Sequence, residues 1–273
     1  MQFLFLVIVC VKLKLQSFIK CELSKSKITS PYFKADKFPA ISYISKMKYQ
    51  QSPVSPSIAN ILKTLSLACI IIFSACEAQP PVEKGNFKKT DLVELIKLDS
   101  TIKLDIRYAT SNNLVGRPVY TEARAFLQRP AAEALVRANA SLKPLGYGLL
   151  VFDGYRPWSV TKIFWDITPP EHHKFVADPK QGSRHNRGCA VDLSLYDLKT
   201  GKEVEMTGVY DEMSERSYPD YKGGTDEQRK MRDLLRSKME AQGFTVYPYE
   251  WWHFDFNDWK SYTITNVPFS GIK

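Results

Sequence analysis

Two motifs far apart in this chain must meet in space, and that constrains its fold more than any other feature. Ser183-Arg184-His185-Asn186-Arg187-Gly188-Cys189-Ala190-Val191-Asp192 is answered, much later, by Glu250-Trp251-Trp252-His253. His185, Asp192 and His253 are three ligands of the kinds a zinc ion takes. Glu250, three residues before the last histidine, can serve as a base. A fold that gathers these groups holds the parts of a zinc hydrolase: three protein ligands, an open fourth position and a carboxylate beside it.

Strand parity refines this set. Ala190–Tyr196 reads as a strand, on which residues two apart share a face. Asp192 then points with Ala190, while Cys189 and Val191 point away. Cys189 is therefore a packing residue rather than a ligand. Gly188 allows a sharp backbone turn between His185 and the strand. Glu250 and His253 have opposite parity on a regular strand, and Pro248 and the aromatic surroundings disfavour a helix. The pair requires a bend or bulge, or a Glu250 that lies just before the strand. His172-His173 lies in a polar stretch and at most rims a cleft, and Trp251-Trp252 is expected to pack the core and wall the pocket.

Charge and cysteine usage both separate the first quarter of the chain from the rest. The formal charge of +9 invites a nucleic-acid reading, but residues 1–75 hold ten lysines and only two acids. The remainder holds 28 basic and 27 acidic residues, so it lacks the electrostatic footprint of a nucleic-acid partner. Four of the five cysteines lie in residues 1–76, leaving Cys189 alone in the rest, with no internal disulfide framework.

Ile61–Cys76 has the plan of a secretory signal: Lys63, the apolar run Leu65–Phe73, then Ser74 and Ala75. It is similar to a bacterial lipoprotein signal, in which the cysteine becomes the lipidated N-terminus, although Phe73 stands where leucine is usual. The expectation is an exported protein of the periplasm or cell envelope, whose membrane link is a lipid anchor at Cys76. A second apolar stretch, Phe3–Val11, makes two leaders in series. Either translation starts at Met47 and residues 1–46 are a mis-assigned start, or the chain carries a true extension. Residues 77–90, with Pro80-Pro81, read as a polar linker, and residues 91–273 as one domain.

Within that domain, Asp91–Tyr108 alternates like a strand region, Ala125–Leu142 like a helix and Tyr147–Asp153 like a short apolar strand. Ala190–Tyr196 turns through Gly201 and continues at Glu203–Met206; Thr225–Gln242 is a second helix and Phe244–Phe256 a final strand. Strands and helices mix without a βαβ rhythm, which predicts an α+β domain with a central, mostly antiparallel sheet flanked by helices.

Ser183-x-His185-x-x-Gly188-x-Ala190-x-Asp192 with Glu250-x-x-His253 resembles the D-alanyl-D-alanine dipeptidases. These are zinc peptidases related in fold to the D,D-carboxypeptidases and the Hedgehog signalling domain. Three more blocks share the resemblance: Asp105–Thr110 with Asn113, Phe152–Pro157, and Tyr210–Glu215, where Tyr210 replaces the family's phenylalanine. The match spans roughly residues 91–266.

The resemblance implies roles. His185, Asp192 and His253 would hold one zinc ion. Glu250 would take a proton from the attacking water and pass it to the leaving amine. Arg156 would stabilise the oxyanion, with an ion pair to Asp153 as the structural alternative. Tyr108 and Asp211 would receive the free amino group of a dipeptide, and Ser183 would hold its carboxylate or merely cap a turn. The implied reaction is hydrolysis of D-alanyl-D-alanine, in cell-wall precursor turnover or salvage. Two rivals stand beside it: a related zinc D,D-carboxypeptidase or endopeptidase acting on peptidoglycan peptides, and a non-catalytic zinc-binding module. The amine acceptors Tyr108 and Asp211 argue against the first, and the presence of both Glu250 and Arg156 against the second.

Overall fold

Near-continuous buried runs build the central strands of the sheet, and the polar site residues interrupt them. The computed structural model describes residues 78–272, all within a unit spanning Ser74–Lys273. The signal segment 61–76 and Cys76 lie outside the described residues. Among those described, no helix is long and apolar enough to cross a membrane.

The strands are Leu92–Glu94 (β1), Lys103–Leu104 (β2), Phe126–Gln128 (β3), Tyr147–Asp153 (β4), Ala190–Asp197 (β5), Phe244–Tyr247 (β6) and Glu250–Phe256 (β7). The helices are Leu95–Leu98 (α1), Arg129–Leu142 (α2), Trp158–Ile167 (α3) and Asp226–Glu240 (α4). β1 and β3 form a small antiparallel pair. The main sheet has the order β2-β4-β5-β7-β6, and only its β2–β4 pairing is parallel. This is the α+β architecture with a mostly antiparallel central sheet that the alternation predicts.

β4 and β5 are buried along almost their whole length, so neither reads as a half-exposed strand. α2 packs on β4 and buries Ala131, Ala134, Leu135, Ala138 and Leu142, the alanines among them letting the helix lie close. α4 begins with a capping box in which Thr225 and Gln228 satisfy each other's backbone N–H groups.

Several sequence expectations are redrawn: the Ala125–Leu142 helix begins only at Arg129, after β3, and Glu203–Met206 keeps a single bridge, Glu203 to Tyr196. Asp91–Tyr108 is not one strand region: β1 passes directly into α1, and β2 is only two residues long. Leu95 and Leu98 keep an apolar spacing that suits one helical turn as well as a strand. Phe244–Phe256 is a hairpin, because Pro248-Tyr249 reverses the chain between β6 and β7. The helix α3 was not foreseen; Pro157 sits at its N-cap, ahead of buried Trp158, Val160, Thr161 and Phe164.

Residues 78–90 carry neither helix nor strand, yet they do not hang free. Glu83 accepts from Arg187 Nη2 at 2.6 Å, from the Ile264 backbone N–H at 2.8 Å and from Thr263 Oγ1 at 3.0 Å. Arg187 belongs to the turn that carries His185. The docked chain thus begins before Asp91.

Candidate active site

Register places the key groups in one row. Asp153 on β4 is paired with Asp192 on β5, and Asp192 with His253 on β7. The β4–β5 register slips between Val151 and Asp153, which turns Asp153 to the site side. The β6–β7 register slips between Val246 and Tyr247, where Tyr247 pairs with Glu250. This is the irregularity that the parity of Glu250 and His253 requires. It brings Glu250 Oε2 within 3.6 Å of His253 Nδ1.

His185 comes from a single 3-10 turn, His185–Arg187, closed by Gly188 at φ +68°. A Cβ at Gly188 would lie 2.4 Å from Leu92 Cδ2, so the position excludes a side chain both by its φ and by space. Cys189 is buried and does not line the cavity, and burial pushes its thiol up to about 12.

The two histidine rings are oriented from behind. His185 Nδ1 lies 2.7 Å from the Gly154 carbonyl and His253 Nε2 lies 3.0 Å from Asp255 Oδ1. Carbonyl and carboxylate oxygens only accept, so these outer ring nitrogens donate. The inner nitrogens, His185 Nε2 and His253 Nδ1, face each other at 3.1 Å. Asp192 Oδ1 is 3.3 Å from the first and 3.1 Å from the second, and it is buried without a hydrogen bond. Three buried acceptors converging on one point are the arrangement a cation satisfies. His185, Asp192 and His253 therefore fit a metal ion, with ligand atoms all within 4.8 Å of one another.

Arg156 is buried and locked. Its Nε and Nη2 donate to Asp153 Oδ2 at 2.9 and 2.8 Å, and Nη2 also lies 3.5 Å from Asp192 Oδ2. Asp153 is fixed in turn by Tyr120 Oη and the Gly154 N–H, both at 2.8 Å to its Oδ1. The ion pair with Asp153 is therefore present, and it aims the guanidinium at the metal-facing row. Burial pushes the Glu250 carboxyl up to about 8, with His253 pulling it down and Asp192 and Asp211 adding to the rise.

Asp211 is the one described non-glycine residue with positive φ, at 64°. Tyr108 Oη donates to its Oδ1 at 2.9 Å. Its Oδ2 is enclosed with no partner at hydrogen-bond geometry, although the Leu114 backbone is near enough to favour the ionised form. Burial pushes Asp211 up to about 7. Ser183 accepts from the His185 backbone N–H at 3.2 Å, so it does cap the turn, and its side chain also faces the cavity.

Tyr108, Arg156, Ser183, His185, Asp192, Asp211, Glu250 and His253 all line one cavity of about 430 Å³. All eight site residues expected from the sequence are thus brought together. His173 stacks on Trp165 with ring centres 3.7 Å apart and reaches the cavity rim, while Trp251 packs the core and Trp252 walls the pocket. The sequence reading gave no role to Tyr210 or Asp255, and took Asp153 only as a structural ion-pair partner. Tyr210 acts through a partner that only loop geometry brings near, whereas Asp255 lies two residues from His253 on the same strand, a spacing that parity could have flagged.

A family profile described as D-ala-D-ala dipeptidase matches residues 88–270. The chain belongs to this family. The D-alanyl-D-alanine dipeptidase of Escherichia coli (strain K12) is 32% identical over 181 residues, which cover 66% of this chain and 92% of that relative. The enzyme of the same name from Enterococcus faecalis is 36% identical over 175 residues, covering 58% of this chain and 87% of its own. Among solved structures, the LdcB LD-carboxypeptidase is 19% identical, covering 70% of this chain and 82% of that one at a TM-score of 0.36, an overlap too loose to bear on chemistry. Family membership agrees with the geometry: the matched region contains all eight cavity residues named above and excludes Glu83.

Proposed function

We propose that this chain is an exported zinc dipeptidase that hydrolyses D-alanyl-D-alanine to two D-alanines. The observation that carries the substrate is Asp211. Its carboxylate is enclosed in the cavity with one oxygen unpaired. A buried unpaired carboxylate is costly unless a cationic partner arrives, and the free amino group of a dipeptide is such a partner. A longer peptide presents an uncharged amide there, which leaves the carboxylate uncompensated.

His185, Asp192 and His253 would hold the zinc ion, which when bound supplies a Lewis acid that polarises the scissile carbonyl and acidifies water. Glu250 takes the proton of the attacking water and returns it to the departing amine. A carboxyl with a raised proton affinity suits both steps. Arg156, permanently charged and held by Asp153, faces the oxygen on which negative charge develops. Tyr108 holds Asp211 toward the substrate ammonium, and the Ser183 hydroxyl meets the carboxylate end.

Export rests on the signal-like segment Ile61–Cys76, and the proposal includes a lipid anchor at Cys76. An exported enzyme meets dipeptides released from the wall, so salvage is the role proposed.

A hydrolysis panel with the purified zinc-loaded protein tests the reading. D-Ala-D-Ala should be cleaved, while N-acetyl-D-Ala-D-Ala and a wall pentapeptide should resist. Comparable cleavage of the N-acetylated dipeptide would overturn the amine-acceptor role and favour a carboxypeptidase.

A further inference from the structure

We infer that Tyr210 is a positioning residue for the metal site, holding Asp192 in the orientation that turns a single oxygen toward the two histidines. The inference rests on the metal-site reading above. Tyr210 Oη donates to Asp192 Oδ2 at 3.0 Å, and Arg156 Nη2 stands 3.5 Å from the same oxygen. Oδ2 is thereby occupied from behind, while Oδ1 is left without a hydrogen bond between His185 Nε2 and His253 Nδ1. A carboxylate with both oxygens free can rotate about its Cβ–Cγ bond and offer either one or both to a cation. Here one oxygen is taken, and the other is presented.

The hydroxyl is itself well fixed. The Tyr210 ring is buried, with Phe152 at 4.6 Å, Trp252 at 5.5 Å and Tyr108 at 6.1 Å between ring centres. A carboxylate oxygen only accepts, so the Tyr210 hydroxyl is the donor in this bond. None of this packing requires the oxygen. A phenylalanine at this position would fill the same space and leave Asp192 Oδ2 to Arg156 alone.

Tyr210 also ties two parts of the cavity together. It immediately precedes Asp211, whose positive φ fixes the direction of the amine acceptor. One turn of backbone therefore carries both the bond to the metal ligand and the carboxylate for the substrate ammonium.

The test compares the wild-type protein with Tyr210→Phe, using zinc affinity by chelator competition and the visible spectrum of the cobalt(II)-substituted protein. Loss of an outer-shell partner weakens metal affinity by about 10- to 100-fold, and the variant is expected at the lower end, with shifted cobalt bands. Thermal unfolding of the metal-free forms should agree, because the ring packing is kept. Equal zinc affinity and identical cobalt spectra would overturn the positioning role while leaving the dipeptidase reading intact. A wild-type protein that binds neither metal would overturn both. A variant whose metal-free form unfolds markedly earlier would show a structural role instead and would also overturn the inference.

Discussion

Asp192 and His253 are direct partners across β5 and β7, with Asp192 Oδ1 3.1 Å from His253 Nδ1. Two ligands from adjacent strands are held at a spacing set by the backbone ladder, and His185 is brought to them by the turn that Gly188 closes. An ion held by these three residues would therefore meet a frame that largely exists beforehand. Metal removal by a chelator should lower Tm and abolish hydrolysis, and zinc should restore both. At free zinc about a thousandfold above Kd the stabilisation is about 4 kcal/mol. Thermal scans with and without chelator check this; a Tm indifferent to zinc would count against the site.

Glu250→Gln should retain zinc while losing hydrolysis. General acid-base catalysis contributes about 10²- to 10⁴-fold, and kcat should fall by that order with KM little changed. Metal analysis beside steady-state kinetics separates this outcome from simple loss of the ion.

Asp211 gives the pH dependence a sign. Its folded-state carboxyl is raised to about 7, above its unfolded value. Between about pH 4 and 7 the folded form holds a proton that the unfolded form has released, so stability falls as pH rises through that window. Asp211→Asn removes the fall and should stabilise the protein at pH 8 by on the order of 2 kcal/mol, with little effect at pH 4. Substrate affinity runs the other way. The ammonium needs the ionised carboxylate, so KM for D-Ala-D-Ala should drop as pH climbs through 7 in the wild type. It should stay high and flat in the variant. A variant with wild-type KM would remove Asp211 from the amine site.

Glu83→Ala tests whether the segment before the family-matched region is part of the working domain. It strands Arg187, which is 7% exposed, without its bidentate partner. The expected cost is about 2–4 kcal/mol, read as a lower midpoint in urea unfolding. A protein starting at Lys88 should show the same loss. Unchanged stability would return residues 78–87 to the status of a tether.

Cys189 should resist thiol reagents until the protein unfolds, since it is fully buried and its thiol is pushed up to about 12. Cys189→Ala should keep its zinc. Labelling in the folded state, or metal loss in the variant, would reopen its place among the ligands.

The sequence made the site's inner residues legible because their chemistry is unusual and their spacing obeys strand parity. Residue chemistry and the family resemblance singled out His185, Asp192 and His253, while strand parity set Cys189 aside and demanded a break between Glu250 and His253. The break proved to be a slip in pairing with β6. What stayed hidden depends on partners that sequence distance conceals. Tyr210 gains its meaning from an Asp192 Oδ2 that only the loop geometry brings near, and Asp153 turns to the site side through the register slip on β4. Glu83 looked like polar tether, because nothing in a proline-rich stretch announces a buried arginine waiting beyond it. The helix after Pro157 was masked by its aromatic content, which weighs toward strand.

The row Asp153–Asp192–His253 sits on the sheet, whereas Asp211 sits on a loop and Lys174 and Phe175 of the cavity wall on a short 3-10 segment. On the proposed reading, the bond-breaking groups would thereby sit on the sheet and the substrate-reading groups on the connecting segments, where loops tolerate change. Insertions or exchanges in the connecting segments can redraw which peptide enters, one end at a time, while the ladder beneath keeps the bond-breaking groups in register. A lineage built on this frame can change its diet without having to reinvent its teeth.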